Sequence, residues 1–209
     1  MAYDIKLWRK RYIERSDLTT ELVHLTRSQK TENKSALEVL FAILQSKKLL
    51  GSTTSSGFIV GDTPAVCFQD APLSAVGQNC WFEQTFRKEN SWAKKRYDPT
   101  GLIISKKLIF NSGGRPAIYD ITNDAKSYLP KSEWWRIVNF NLGNTDSIID
   151  WSHEREWRIP TEFKFKISDV TLLFANNSDV KKFIKLCDEN GKSYYRDARG
   201  IATMESVVC

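Results

Sequence analysis

Five short strand-like stretches follow one another between residues 101 and 175: GLIIS (101–105), RPAIYDI (115–121), WWRIVNF (134–140), SHEREWRI (152–159) and VTLLFA (170–175). Each has the length of a strand, and turn-forming residues separate them. A chain with this many strands must bury at least one sheet face, and something has to cover it. Cover is available in the first half. Residues 3–15 carry Ile5, Trp8 and Tyr12 at helical spacing. Ser35-Ala36-Leu37-Glu38 is a capping-box pattern, followed by the stripe Leu37, Leu40, Ile43 and Leu44, with Gly51 as the stop. Asp70-Ala71-Pro72-Leu73 opens a further helix, expected to run to about residue 97, and Asp98-Pro99-Thr100-Gly101 breaks it.

Two more strands, ELVHLT (21–26) and PAVCFQ (64–69), a polar loop at 52–57, a helix at 178–189 and a last strand near 200–208 complete the order. No repeat or low-complexity linker interrupts the chain, so a single domain over 1–209 is expected. The class is α+β with a mixed or antiparallel sheet and helices mostly in the N-terminal half.

The stretch IIDWSHEREWRIP (148–160) makes a local demand that stability does not explain. On a strand, Glu154, Glu156 and Arg158 share one face, while His153, Arg155 and Trp157 share the other. Like charges side by side on a strand repel. Neither a neighbouring turn nor a helix dipole accounts for the pair. Trp151 and Trp157 pack the rear of the sheet. Trp134 and Trp135 cannot both face the core of one strand, so one of them lies at a surface or cleft.

Net charge and aromatic content bear on partners. The chain carries +6 at neutral pH and seven tryptophans, which suits a polyanion with exposed bases. The densest basic run, Lys6 to Arg15, reads as a solvated helix face. CWFEQTFRKENSWAKKR (80–96) offers Trp81, Phe86 and Trp92 for base stacking, or else is an amphipathic helix covering the sheet. Cys67, Cys80, Cys187 and Cys209 form no C-x-x-C pair, and His24 and His153 are the only histidines, so no zinc site is expected. Without a membrane-length apolar run or a signal-peptide core, thiols of this kind point to a reducing cytoplasm and no membrane partner.

Taken in order, HLTR (24–27), LQSKKLLGS (44–52), VCFQDAPL (66–73), GRPAIYD (114–120) and HEREWRIP (153–160) resemble bacterial toxins and phage-defence proteins of the ADP-ribosyltransferase superfamily. The likeness is to the DarT-like, CmdT-like and AbiGi-type abortive-infection groups, over roughly residues 20–160. It implies an ADP-ribosyltransferase-like split β-sandwich that binds NAD as substrate and needs no metal. Glu156 matches the catalytic glutamate, and Glu154 would orient or deprotonate the acceptor. His24 would bond an NAD ribose, Leu25 backbone groups the nicotinamide amide, and Thr26 and Arg27 ribose or phosphate. Arg115 would hold the pyrophosphate, and Tyr119 or Phe68 would stack on nicotinamide.

The chain departs from the family's patterns at two points. Arginine-modifying members have arginine at the position of His24, and histidine–tyrosine–glutamate members have glycine at that of Leu25. The acceptor implied is nucleic acid, RNA ahead of DNA, with protein behind both. A neutralising antitoxin is implied by the resemblance alone. Two other readings stand beside it: a magnesium-dependent nuclease built on Asp120, Glu154 and Glu156, and a non-catalytic nucleic-acid-binding module of a defence operon. Against the nuclease, Arg158 stands where that chemistry would use lysine.

Overall fold

A computed structural model describes residues 2–93 and 95–205. The strands are β1 (Glu21–Leu25), β2 (Lys48–Leu50), β3 (Ala65–Phe68), β4 (Gly101–Ser105), β5 (Arg115–Pro116), β6 (Ile118–Asp120), β7 (Ile137–Asn139), β8 (Trp157–Pro160), β9 (Glu162–Lys164), β10 (Val170–Phe174) and β11 (Gly200–Thr203). The helices are α1 (Ile5–Ile13), α2 (Ala36–Ser46), α3 (Leu73–Glu89), α4 (Lys106–Asn111), α5 (Thr122–Tyr128), α6 (Asn177–Glu189) and α7 (Tyr194–Asp197). The class is mixed α+β. Contacts divide the chain into two compact units, each assembled from separated segments. One holds the residues up to Lys47, Ala71–Ser105 and those from Phe165 onward; the other holds Lys48–Asp70 and Lys106–Lys164.

The first unit is built on a four-stranded sheet in the order β1-β4-β10-β11, antiparallel except for the parallel β10–β11 pair. Register places Leu22, Ile104 and Val170 side by side, and likewise His24, Leu102 and Leu172, so these six share one face. On the other face Val23 and Leu173 pack with Ala71, just before α3, and with Val76 and Cys80 on it. A Cβ on Gly101 would lie 1.9 Å from the His24 carbonyl oxygen, so only glycine lets β1 and β4 close at this point. The capping box at Ser35 forms as expected. Helix α2 ends earlier than Gly51, at Lys47 in a left-handed conformation, because β2 begins at the next residue.

Helix α3 stops at Glu89, short of residue 97. Asn90 caps it, with its side-chain amide donating to the Phe86 carbonyl. Strand β11 ends at Thr203, and residues 206–208 of the expected last strand lie outside the described residues, as does Cys209. Helix α1 buries nothing, as a solvated basic face should.

In α6 the fully buried Cys187 supplies a measurable consequence. Burial first, and the Asp188 charge second, push its thiol from an ordinary value near 9 up to about 11, against backbone N–H groups of Tyr194 and Tyr195 that pull it down. The folded chain keeps this proton between pH 9 and 11, where the unfolded chain releases it. Stability present below pH 9 is therefore lost as pH rises toward 11. The urea midpoint should fall over that window, and fall less in a Cys187→Ala variant; equal slopes for the two proteins would contradict this.

The second unit holds three small sheets: β3-β8-β5, antiparallel, β2-β9, antiparallel, and β6-β7, parallel. Here three expected strands are corrected. RPAIYDI divides at Ala117, whose N–H goes to the Glu156 carbonyl, so β5 pairs with β8 and β6 with β7. WWRIVNF begins as a 3-10 turn over Lys131–Arg136, leaving only Ile137–Asn139 extended. Both indoles donate to carbonyls a few residues back, Trp134 to Leu129 and Trp135 to Ser132, which holds the turn. SHEREWRI opens with a 3-10 turn at Ser152–Glu154. The Asp150 carboxylate accepts the Ser152 N–H and hydroxyl, and Arg155 then takes a left-handed φ of 45°, so strand geometry starts only at Trp157. Helices α4 and α5 and strand β9 had no signal strong enough to expect them.

Candidate functional site

In the second unit β8 is the central strand, and its entrance carries Glu156. This residue is 7% exposed. Its backbone N–H donates to the Tyr119 hydroxyl, and its carbonyl accepts from Ala117 at 2.7 Å. Its carboxylate makes a two-bond ion pair with Arg158, Nε to Oε1 at 2.9 Å and Nη2 to Oε2 at 3.1 Å. The expectation that Glu156 and Arg158 share a face is met in this contact. Glu154 is not on that strand. It ends the 3-10 turn, half-buried, with its carbonyl accepting from the Asp70 N–H at 3.1 Å. The two carboxylates thus reach one neighbourhood by a sharp turn at Arg155.

That neighbourhood includes Tyr119 and Cys67. Burial pushes the Tyr119 phenol well above its ordinary range, the Glu156 backbone N–H opposes this, and the charges of Glu156 and Glu154 add to it. The phenol is therefore neutral at physiological pH. Its oxygen is already an acceptor for Glu156, so its own O–H is a donor. Cys67, opposite Arg158 in the β3–β8 register, has its thiol raised far above normal by burial and then by the Glu156 charge, with Arg158 pulling the other way. Such a thiol is a poor nucleophile at neutral pH.

A second ion pair, buried Lys106 with half-buried Asp70, stands behind the turn. Lys106 Nζ lies 2.7 Å from Asp70 Oδ1, and the Trp157 indole donates to Asp70 Oδ2 at 3.1 Å. Trp157 thus faces away from the Glu156 carboxylate, as expected. Trp151 sits against the His153 ring, 5.8 Å between centroids. Trp135 is buried, and Trp134 is half-buried with Lys126 Nζ 4.9 Å from its ring centre.

Among the other expected site residues, Phe68, Arg115 and Thr26 make contacts within the fold. Phe68 is 1% exposed and edge-on to Phe163, so it is part of the core. Arg115 Nη1 donates to the carbonyls of Phe110 and Gly114, with the guanidinium 4.3 Å above the Phe110 ring. His24, Leu25, Thr26 and Arg27 belong to the first unit. His24 is half-buried on β1. Leu25 packs beside the α3 core. Thr26 is buried, and both its N–H and its hydroxyl donate to the Thr100 carbonyl. Arg27 is exposed.

Also in the first unit, Phe82 and Phe86 stack 6.1 Å apart on α3, and Trp92 meets Phe86 edge-on at 6.0 Å. Trp81, Phe82 and Trp92 are well exposed, Trp92 at 77%. Of the three rings expected from 80–96, Trp81 and Trp92 are exposed and Phe86 is half-buried, while Val76 and Cys80 of the same helix cover the sheet.

In sequence, Arg158 stands out only as a lysine that is missing. Its i, i+2 relation to Glu156 is the one signal of the clamp. Asp70 and Lys106 carry none, because 36 residues separate them.

Among the described residues no group of three or more His, Cys, Asp or Glu side chains could hold a metal ion, and no helix is long and apolar enough to cross a membrane. Asp120, the third acid of the nuclease reading, accepts from Tyr128 and from the Ile121 N–H. Family models, curated proteins and solved structures were all compared with the chain, and none matches.

Proposed function

We propose that the protein is a mono-ADP-ribosyltransferase toxin that moves ADP-ribose from NAD to a macromolecular acceptor, RNA ahead of DNA and protein, on an ADP-ribosyltransferase-like fold. One observation carries the reading: Tyr119 and Glu156, 37 residues apart, are in direct contact, with Glu154 close enough for its charge to act on Tyr119. The order of the sequence motifs supports it, and so does a chain made of two compact units, one with a four-stranded sheet and the other with three smaller ones.

In this reading the bond between nicotinamide and ribose C1′ breaks, and its electron pair leaves with neutral nicotinamide. The Glu156 carboxylate, bonded to the ribose 2′-hydroxyl, stabilises the positive charge left on the sugar. The acceptor's nucleophile then bonds to C1′, and Glu154 receives its proton. Tyr119 offers the nicotinamide a neutral aromatic face.

The nuclease reading is weaker on this geometry. Both Glu156 carboxylate oxygens already accept from Arg158, and a metal ion there would have to compete with that guanidinium.

The test is to incubate purified protein with adenylate-labelled NAD and total cell extract, with and without EDTA, then digest with RNase, DNase or protease. We expect EDTA-resistant label that RNase releases and that falls steeply with added salt, as phosphate contacts require. Absence of NAD consumption would overturn the proposal, and EDTA-sensitive strand cleavage would put the nuclease in its place.

A further inference from the structure

We infer that Arg158 is the positioning residue of the site, fixing the plane in which Glu156 presents its carboxylate; this rests on the ADP-ribosyltransferase reading above. A guanidinium has five N–H donors in one rigid plane. Arg158, 2% exposed, uses all five. Two go to Glu156. Nη1 donates to the Trp135 and Ile137 carbonyls at 2.8 and 2.9 Å, and the remaining Nη2 donor reaches the Phe58 carbonyl at 3.1 Å.

Those three carbonyls come from two segments: the loop before β3, and the continuous stretch where the 3-10 turn passes into β7. The fork therefore cannot rotate without breaking bonds to at least one of them. Because the two bonds to Glu156 are parallel, the carboxylate plane follows the guanidinium plane. At its other end Glu156 is pinned through its backbone by Tyr119 and Ala117. A side chain held at both ends meets the reacting sugar already oriented.

Lysine at this position would keep a positive charge but offer it as a point, without the parallel bonds. The carboxylate could then swing, and each turnover would have to reorient it. Misplacement of a catalytic group by a fraction of its contact distance costs on the order of 10- to 100-fold in rate.

The experiment compares wild type and Arg158→Lys for NAD consumption, with the folded fraction of each taken from near-UV circular dichroism. We expect kcat per folded molecule to fall on the order of 10- to 100-fold with KM for NAD within about threefold. A merely structural role would lower the folded fraction and leave kcat per folded molecule unchanged. In Arg158→Ala, millimolar guanidinium should restore part of kcat while methylammonium, equal in charge, should not. Lysine turning over within about twofold of wild type, or equal rescue by both cations, would overturn the inference and leave the proposed function standing. A wild-type protein that consumes no NAD would instead remove the reading on which it rests.

Discussion

Arg158→Met is expected to destabilise the fold by about 4–5 kcal/mol, more than any change to the carboxylate it holds. Two contributions are at work. Removing one partner of a buried ion pair leaves the other charge uncompensated, which typically costs about 3–5 kcal/mol. The carbonyls of Phe58, Trp135 and Ile137 also lose their donor. A carbonyl left unsatisfied inside a protein costs roughly 1–3 kcal/mol, reduced where water can enter or the backbone relaxes. In a chain of this size the sum corresponds to a melting temperature lower by about 10 °C or more. Trp135 is buried in the same unit and donates locally to Ser132, so its fluorescence is a suitable probe of urea unfolding. A double variant that also makes Glu156 leucine should recover only part of the loss, since the orphaned carbonyls persist. A stability for Arg158→Met within about 1 kcal/mol of wild type would mean that the clamp contributes little.

Periodicity is a good guide wherever one element faces one core. GLIIS, VTLLFA and ELVHLT become β4, β10 and β1 nearly residue for residue, because short apolar runs bounded by turn residues have the length and composition of buried strands. It is a poor guide where polar groups decide the backbone. WWRIVNF reads as a strand on propensity, yet two indole N–H groups bonding backward make half of it a 3-10 turn. In SHEREWRI the Asp150 carboxylate competes for the Ser152 N–H, and no propensity scale weighs that competition. The left-handed Arg155 could not be foreseen from its residue type, since a non-glycine residue there is uncommon.

The candidate site divides in the same way. Glu156 and its partner two residues later were legible, because β-strand spacing alone puts them on one face. Tyr119 reaching Glu156 was not, because that contact depends on the break at Ala117 and on the β6–β7 pair. Phe68 and Thr26 illustrate the opposite case. An aromatic and a hydroxyl at motif positions look like ligands in sequence, and only packing and a carbonyl at position 100 reveal their structural use.

Glu156→Gln is expected to lower NAD turnover about 100-fold or more, the loss typical when one preorganised charge-stabilising group is removed. The amide has the carboxylate's shape but no charge to offer an electron-poor sugar. Stability should fall too, by about 2–3 kcal/mol, because Arg158 keeps its three carbonyls and one amide oxygen as acceptors but loses its counter-charge. The two measurements therefore rank the variants in opposite orders. Arg158→Met unfolds more readily than Glu156→Gln, while Glu156→Gln is slower than Arg158→Lys once each rate is divided by the folded fraction. If burial of the pair served the fold alone, activity would simply track the folded fraction and the two orders would coincide. Crossed orders mean that the carboxylate acts on the substrate and that the guanidinium acts through the carboxylate. A folded Glu156→Gln protein that consumes NAD at close to the wild-type rate would move the chemistry away from β8 altogether.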